Sequence, residues 1–182
     1  MRQEILTPQE KTLVKRFNRG DMHALREIYD LYKHDLMTLA TALLRDGAAA
    51  EDAVHDVFAK LASSGKRISI LGSLRGYLLT AVANTARSML RKAGRGPSLP
   101  ESEKTEQIGP PDSAAILEEE QQWLSEALKS LSQEQREVLL LRYFGDLKFK
   151  AIAKSQGVSI NTVQGRHRYG LEKLRSLLGG DL

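Results

Sequence analysis

The sequence predicts an all-α protein of two helical domains joined by a flexible linker, and three observations carry that prediction. Apolar residues recur at the 3.6-residue spacing on both sides of a central connector, with no alternating β run of useful length. The connector, Ala93 to Ala115, holds four of the five prolines, three glycines and few apolar side chains to bury. At 182 residues, 41% apolar and 27% charged, the chain is long enough for two small cores. The expected division is 1–92, a linker at 93–115, and 116–182.

Each helix has its own start and stop signals. Thr7-Pro8-Gln9-Glu10 is a capping box with proline at the first helical position, predicting a short helix to about Phe17, stopped by Asn18-Arg19-Gly20-Asp21. Asp21 caps a longer helix with the apolar stripe Leu25, Ile28, Tyr29, Tyr32, Leu36, Leu39, Ala40 and Leu43, ended by Asp46-Gly47. A third helix, about Ala48 to Ala62, turns Ala50, Val54, Val57, Phe58 and Leu61 to one face and leaves Glu51, Asp52, His55 and Asp56 on or beside the other. After a turn-like stretch from Ser63 to Gly72, Ser73 caps a fourth helix with Arg87, Arg91 and Lys92 toward its C-terminal end. In the second block Ser113 caps a helix through Trp123, Leu124 and Leu128, and the capping box Ser132 to Gln135 opens one ended by Gly145. A short helix from Phe149 to Ser155, the turn Gln156-Gly157-Val158 and a Ser159-capped helix to about Leu178 then make a helix-turn-helix.

Charge is divided along the same lines. Residues 1–92 carry 15 Lys and Arg against 10 Asp and Glu, residues 93–122 carry 2 against 7, and residues 123–182 carry 10 against 6. Two mildly basic blocks flanking an acidic connector suit a polyanion partner. Cysteine is absent, which excludes disulfides and thiolate chemistry, and no apolar run approaches the ~20 residues that span a bilayer. The N-terminal residues lack the apolar core of a signal peptide, so a cytoplasmic protein without membrane insertion is expected.

Three local patterns bear on chemistry. Ala153, Gly157 and Val163 supply the small, turn and apolar positions that let helix-turn-helix segments cross closely, and Asn161, Thr162, Gln164, Arg166 and Arg168 offer donors suited to base edges and phosphates. The alternative is an antiparallel helical pair with a solvated polar face. The acidic face of the third helix repels phosphates, so either solvent or a protein partner must cover it. His55-Asp56 also has the dipeptide of HD-type metal phosphohydrolases, but the remaining histidines, His23, His34 and His167, stand in no matching context. No phosphate-binding glycine loop or nucleophilic triad pattern is present. No catalytic group, cofactor or metal site is therefore expected.

Taken together, the two blocks resemble a bacterial RNA polymerase sigma factor of the extracytoplasmic-function (group 4, sigma-70 family) type, over about residues 10–92 and 115–178. Ala50 to Phe58 is similar to region 2.2, and the resemblance implies that Glu51, Asp52, His55, Asp56 and Phe58 bind the β′ clamp helices of core RNA polymerase. Gly76-Tyr77-Leu78 with Val82 to Ala86 looks like regions 2.3 and 2.4, which open promoter DNA and capture an unstacked minus-10 base. On that likeness Lys66, Arg67, Ser69 and Ser73 belong to the loop beside the flipped base, and Asn84, Arg87, Arg91 and Lys92 support the strand. Ser132 to Tyr143 and Ile152 to Arg166 are similar to region 4, implying minus-35 recognition by Asn161, Thr162, Gln164, Arg166, Arg168 and Tyr169. The implied partners are core RNA polymerase, including its β flap, promoter DNA, and an anti-sigma factor such as often holds family members.

The sequence also departs from the family pattern. Ala62 stands where region 2.2 usually ends in tryptophan, and His55 where Gln is common. Tyr169 stands where Arg is frequent, and His167 where an apolar residue is usual. Gly165 and Gly170 replace the usual Ser and Ala, each costing up to ~1 kcal/mol in helix propensity. The runner-up reading is a helix-turn-helix regulator that binds DNA without polymerase.

Overall fold

A computed structural model describes residues 6–63, 68, 73–94 and 126–177. The chain divides into two compact units, Met1–Ser98 and Leu99–Leu182, with the division inside the expected connector.

Unit 1 is built from α1 (Pro8–Phe17), α2 (Met22–Leu44), α3 (Gly47–Ser63) and α4 (Leu74–Ala93). The start signals read from the sequence operate as caps. Glu10 N–H donates to Thr7 Oγ1 (3.2 Å) and Thr7 N–H to Glu10 Oε2 (2.6 Å), closing the box on α1. Asp21 accepts from His23 and Ala24 N–H to start α2, and Asp46 accepts from Ala49 N–H (2.8 Å) at the head of α3. Gly76 N–H donates to Ser73 Oγ (3.2 Å) at the start of α4, which runs to Ala93, one residue into the expected linker. Helix α2 is the hub, packing against α1, α3 and α4. Ile28, Leu36, Leu39, Val54, Leu74, Leu78, Leu79 and Val82 are fully buried among them, at about 1.5–3 kcal/mol of transfer free energy per large side chain. One buried carboxylate belongs to this core: Glu10 accepts a hydrogen bond from Tyr32 Oη of α2, tying α1 to the hub. Burial pushes the Glu10 carboxyl up, yet the hydrogen bonds from Tyr32 and Thr7 prevail and hold it below the ordinary range.

Unit 2 begins, among the described residues, with a helical stretch at 126–130, followed by α5 (Gln133–Leu139), α6 (Phe149–Gln156) and α7 (Ile160–Leu177). The capping box of Ser132 and Gln135 opens α5 as expected. Instead of running as a plain α-helix to Gly145, the chain widens into a π turn over Leu140–Phe144, closed by Gly145 N–H donating to Leu140 O (3.0 Å). Gly157, at φ +65°, caps α6 in the left-handed region, which glycine enters without the Cβ penalty. Val138, Leu141, Ile152 and Val163 are fully buried and Ala153 nearly so, so the positions read as the helix-turn-helix core are core. The expected Ser113-capped helix, most of the connector and most of the stretch from Ser63 to Gly72 lie outside the described residues.

Among the described residues no helix is long and apolar enough to cross a membrane.

Candidate functional site

Two surfaces of opposite charge lie on unit 1. On α3, Glu51, Asp52, His55 and Asp56 are all exposed and share the face opposite Val54 and Val57. Asp56 makes a 3.4 Å ion pair with Lys60 one turn on, exposed on both sides and therefore weak. Phe58 of the expected contact set is only 8% exposed and lies edge-on to Tyr29 of α2 with ring centroids 5.0 Å apart. Its position on the apolar side of α3 makes it a support beneath the face. Tyr29 in turn stacks on His55 (6.4 Å, 30°) and carries Lys33 Nζ 5.8 Å from its ring centroid. The face therefore extends onto α2 through Tyr29 and Lys33, which helical spacing within α3 alone could not reveal. Among the described residues no three His, Asp or Glu side chains come together as a metal site, so the His55-Asp56 dipeptide gathers no ligand set there.

The basic surface belongs to α4. Asn84 and Arg91, seven residues apart, fall on one stripe with Tyr77, and Arg87 flanks it. Asn84 Oδ1 accepts from Arg87 (3.1 Å), while Arg91 and Lys92 are exposed at the last turn, where their charge also complements the helix dipole. Tyr77, 37% exposed, was not among the expected site residues; an aromatic at the i−7 position from Asn84 is the signal that could have found it. Ser73, by contrast, is engaged as the N-cap of α4. Arg75 pairs with Asp35 and so fixes the first turn of α4 to α2. Lys66, Arg67 and Ser69 lie outside the described residues.

In unit 2 the expected DNA-facing residues differ in exposure and in the bonds they make. Asn161, Gln164 and Arg168 are exposed along one stripe of α7. Tyr169 is 54% exposed, with the Arg168 guanidinium 4.8 Å from its ring centroid. Thr162 is exposed but serves the N-cap, its N–H donating to Ser159 Oγ (3.0 Å). Arg166 is half-buried and donates to Gln156 Oε1 (2.7 Å) at the end of α6, so its first task is to hold the two helices of the motif together. The glycines of α7 also differ. A Cβ on Gly165 would meet nothing within 4 Å, whereas on Gly170 it would lie 3.1 Å from Leu139 Cδ1, because α7 crosses α5 closely there.

His167 is the residue sequence reasoning undervalued. Its ring stacks on Tyr143 of the π turn (5.6 Å, 26°) with Nε2 3.0 Å from Tyr143 Oη, and meets Phe149 of α6 edge-on at 5.0 Å. The imidazole thus substitutes for an apolar side chain in joining α7 to both preceding segments. Burial, reinforced by the nearby Arg142 charge, pushes its pKa below the ordinary imidazole value.

Comparison with known proteins places this geometry. The family described as Sigma-70 region 2 matches residues 28–96, and that described as Sigma-70, region 4 matches residues 121–174. The chain is 26% identical over 181 residues to the ECF RNA polymerase sigma factor SigK of Mycolicibacterium vanbaalenii, covering 96% of this chain and 92% of that protein. It is 25% identical over 171 residues to SigK of Mycobacterium bovis, covering 91% of each. Among solved structures, the sigma factor RpoE in complex with the anti-sigma factor NepR from Bartonella quintana shares the fold with a TM-score of 0.69 at 24% identity, covering 86% of this chain and 98% of RpoE.

Proposed function

This chain belongs to the sigma-70 family, as an extracytoplasmic-function sigma factor that directs promoter-specific initiation of transcription, and on that premise we propose how its two units divide the task. In unit 1 the acidic face of Glu51, Asp52, His55 and Asp56 docks on the β′ clamp helices of core RNA polymerase, with Phe58 supporting it from below. Tyr29 and Lys33 extend the same contact onto α2. The basic stripe of α4 holds the non-template strand of the minus-10 element: Asn84, Arg87, Arg91 and Lys92 contact its backbone and Tyr77 offers a ring to an unpaired base. Lys66, Arg67, Ser69 and Ser73 flank the captured base. In unit 2 Asn161, Gln164, Arg168 and Tyr169 read the minus-35 duplex, Thr162 contacts it from the helix cap, and Arg166 keeps the reading helix in register.

The observation that carries this reading is the juxtaposition within unit 1 of an uncovered carboxylate face on α3 and a cationic stripe on α4. Carboxylates repel phosphates, so the two surfaces require two kinds of partner. The protein makes and breaks no covalent bond itself; promoter opening is driven by binding free energy. It acts in the cytoplasm, where the polymerase is, and an anti-sigma protein, as in the RpoE–NepR complex, is a further partner.

Co-purification with core RNA polymerase tests the assignment. The double charge reversal Asp52→Lys and Asp56→Lys should lower polymerase affinity at least tenfold, because both carboxylates are exposed and their loss costs the fold little. Binding of the same variant to minus-35 duplex DNA should be unchanged. Retention of wild-type polymerase affinity would remove the α3 face from the contact.

A further inference from the structure

Helix α7 carries two glycines in its interior, and the fold accounts for only one of them. At Gly170 a Cβ would lie 3.1 Å from Leu139 Cδ1 and 3.5 Å from Gln135 Cβ, so the missing side chain is what lets α7 cross α5. At Gly165 a Cβ would meet nothing within 4 Å, and the residue sits in regular helix without a positive φ. Neither packing nor backbone conformation asks for glycine there, although glycine in a helix interior gives up propensity relative to alanine. The residues that helical spacing makes its neighbours are Asn161, Thr162, Arg168 and Tyr169, all exposed. Each is engaged elsewhere or points clear of the gap. Thr162 Oγ1 lies 2.9 Å from Ser159 Oγ at the cap, and Arg168 donates to Tyr169 Oη (3.1 Å) with its Nε 3.9 Å from Glu172. None of the four comes within 4 Å of where a Cβ would stand, so Gly165 is the floor of an open notch in the middle of the exposed face of α7.

We propose that Gly165 is a specificity-determining residue: the point of closest approach between α7 and the base edges of the minus-35 duplex, whose missing side chain sets how deep the helix enters the major groove. The inference rests on the assignment of α7 to that duplex and deepens it, because reading then depends on an absent side chain as well as on donors. A helix with its side chains is about 10–12 Å across and the major groove about 12 Å wide, so depth of entry is limited by whatever projects from the centre of the entering face. A methyl group at Gly165 would project toward the base pairs. Asn161 and Thr162 are short, and hydrogen bonds weaken quickly beyond about 3.2 Å, so a small retreat of the helix takes both out of reach of the bases. Contacts to phosphates, which position the protein without reading sequence, survive that retreat.

The test uses holoenzyme reconstituted from core polymerase with the full chain, and duplexes of a promoter it transcribes whose minus-35 base pairs are substituted one at a time. Gly165→Ala should lower affinity for the preferred duplex roughly tenfold, the scale of one lost base contact, and leave affinity for a duplex with a scrambled minus-35 element unchanged. Gly165→Leu, with a larger side chain at the same point, should lose more discrimination. The full chain carrying Gly165→Ala should at the same time unfold at a higher denaturant concentration than the unmodified chain. Greater stability combined with poorer reading is a pattern that loss of folding cannot produce. The double variant Asn161→Ala, Gln164→Ala separates the inference from its premise. If that variant loses discrimination and Gly165→Ala retains it, the closest-approach role is wrong; if both retain it, the minus-35 assignment of α7 fails and the inference falls with it.

Discussion

In unit 2 the residues assigned to DNA stand on one helix, α7, whereas in unit 1 they come from α4 and from the segment that precedes it. The two arrangements are held differently. Helix α7 is fixed by several elements of its own unit: Arg166 bonds Gln156 ten residues earlier, His167 packs on Tyr143 and Phe149, and Lys173 Nζ donates to Ser130 O. In the connection before α4, the backbone of Ile68 is held by Asn18, across fifty positions. A helix presents its side chains at fixed spacing, so a duplex can be read from it once its register is set.

The largest effects are expected within α7 itself. Gln164→Ala and Arg168→Ala should each relax specificity at particular minus-35 base pairs, at about 1–3 kcal/mol per lost base contact. Arg166→Ala should instead weaken binding to every sequence alike and lower the melting temperature of unit 2. Binding to a panel of substituted duplexes, with thermal melts alongside, distinguishes the patterns; a base-specific loss from Arg166→Ala would make it a reader after all.

A smaller effect is expected from pH. The His167 pKa is lowered in the folded state by burial and by Arg142. As pH falls through the ordinary imidazole range, the unfolded chain therefore takes up its proton first, and unit 2 loses stability until the lower folded value is passed. His167→Phe keeps the aromatic contacts without the titration, so its melting temperature should be flatter over that range than that of the unmodified chain. Equal slopes would place the sensitivity elsewhere.

The smallest effect separates the two glycines of α7. Gly165→Ala should raise the stability of unit 2 by up to about 1 kcal/mol, since the added methyl gains helix propensity and meets open space. Gly170→Ala should gain less, because Leu139 must give way. Denaturant midpoints of the two variants check this, and a larger gain at Gly170 would contradict the close crossing of α5 and α7.

The same contrast explains what was legible in the sequence. Helix starts were, because a cap is a local device: Thr7 with Glu10, Ser132 with Gln135, and the caps Asp21, Ser73 and Ser159 are all written within four residues of the bond they make. The apolar stripes of α2 and α3 were legible for the same reason of period, and they carried the acidic face with them. Phe58 was assigned to that face through its place in the motif, although its own periodicity put it inside. The π turn has no comparable signature, since widening one turn at Leu140–Phe144 changes hydrogen-bond partners without changing the residue types a helix tolerates. Nor could spacing disclose the Asn18 anchor, the Tyr29 stack on His55, or the engagement of Arg166, each of which joins two elements whose approach is decided by tertiary packing. Gly165 and Gly170 read alike in the sequence, and only the crossing of α5 and α7 tells them apart.

On this assignment the acidic face, the basic stripe and the helix-turn-helix together direct polymerase to promoters. Run-off transcription with bacterial core RNA polymerase on genomic fragments, with and without this protein, tests it most directly. Discrete transcripts should appear only when the protein is added and vanish with the Asp52→Lys and Asp56→Lys variant. Identical transcript patterns with and without the protein, from polymerase that has bound it, would show that it does not direct initiation.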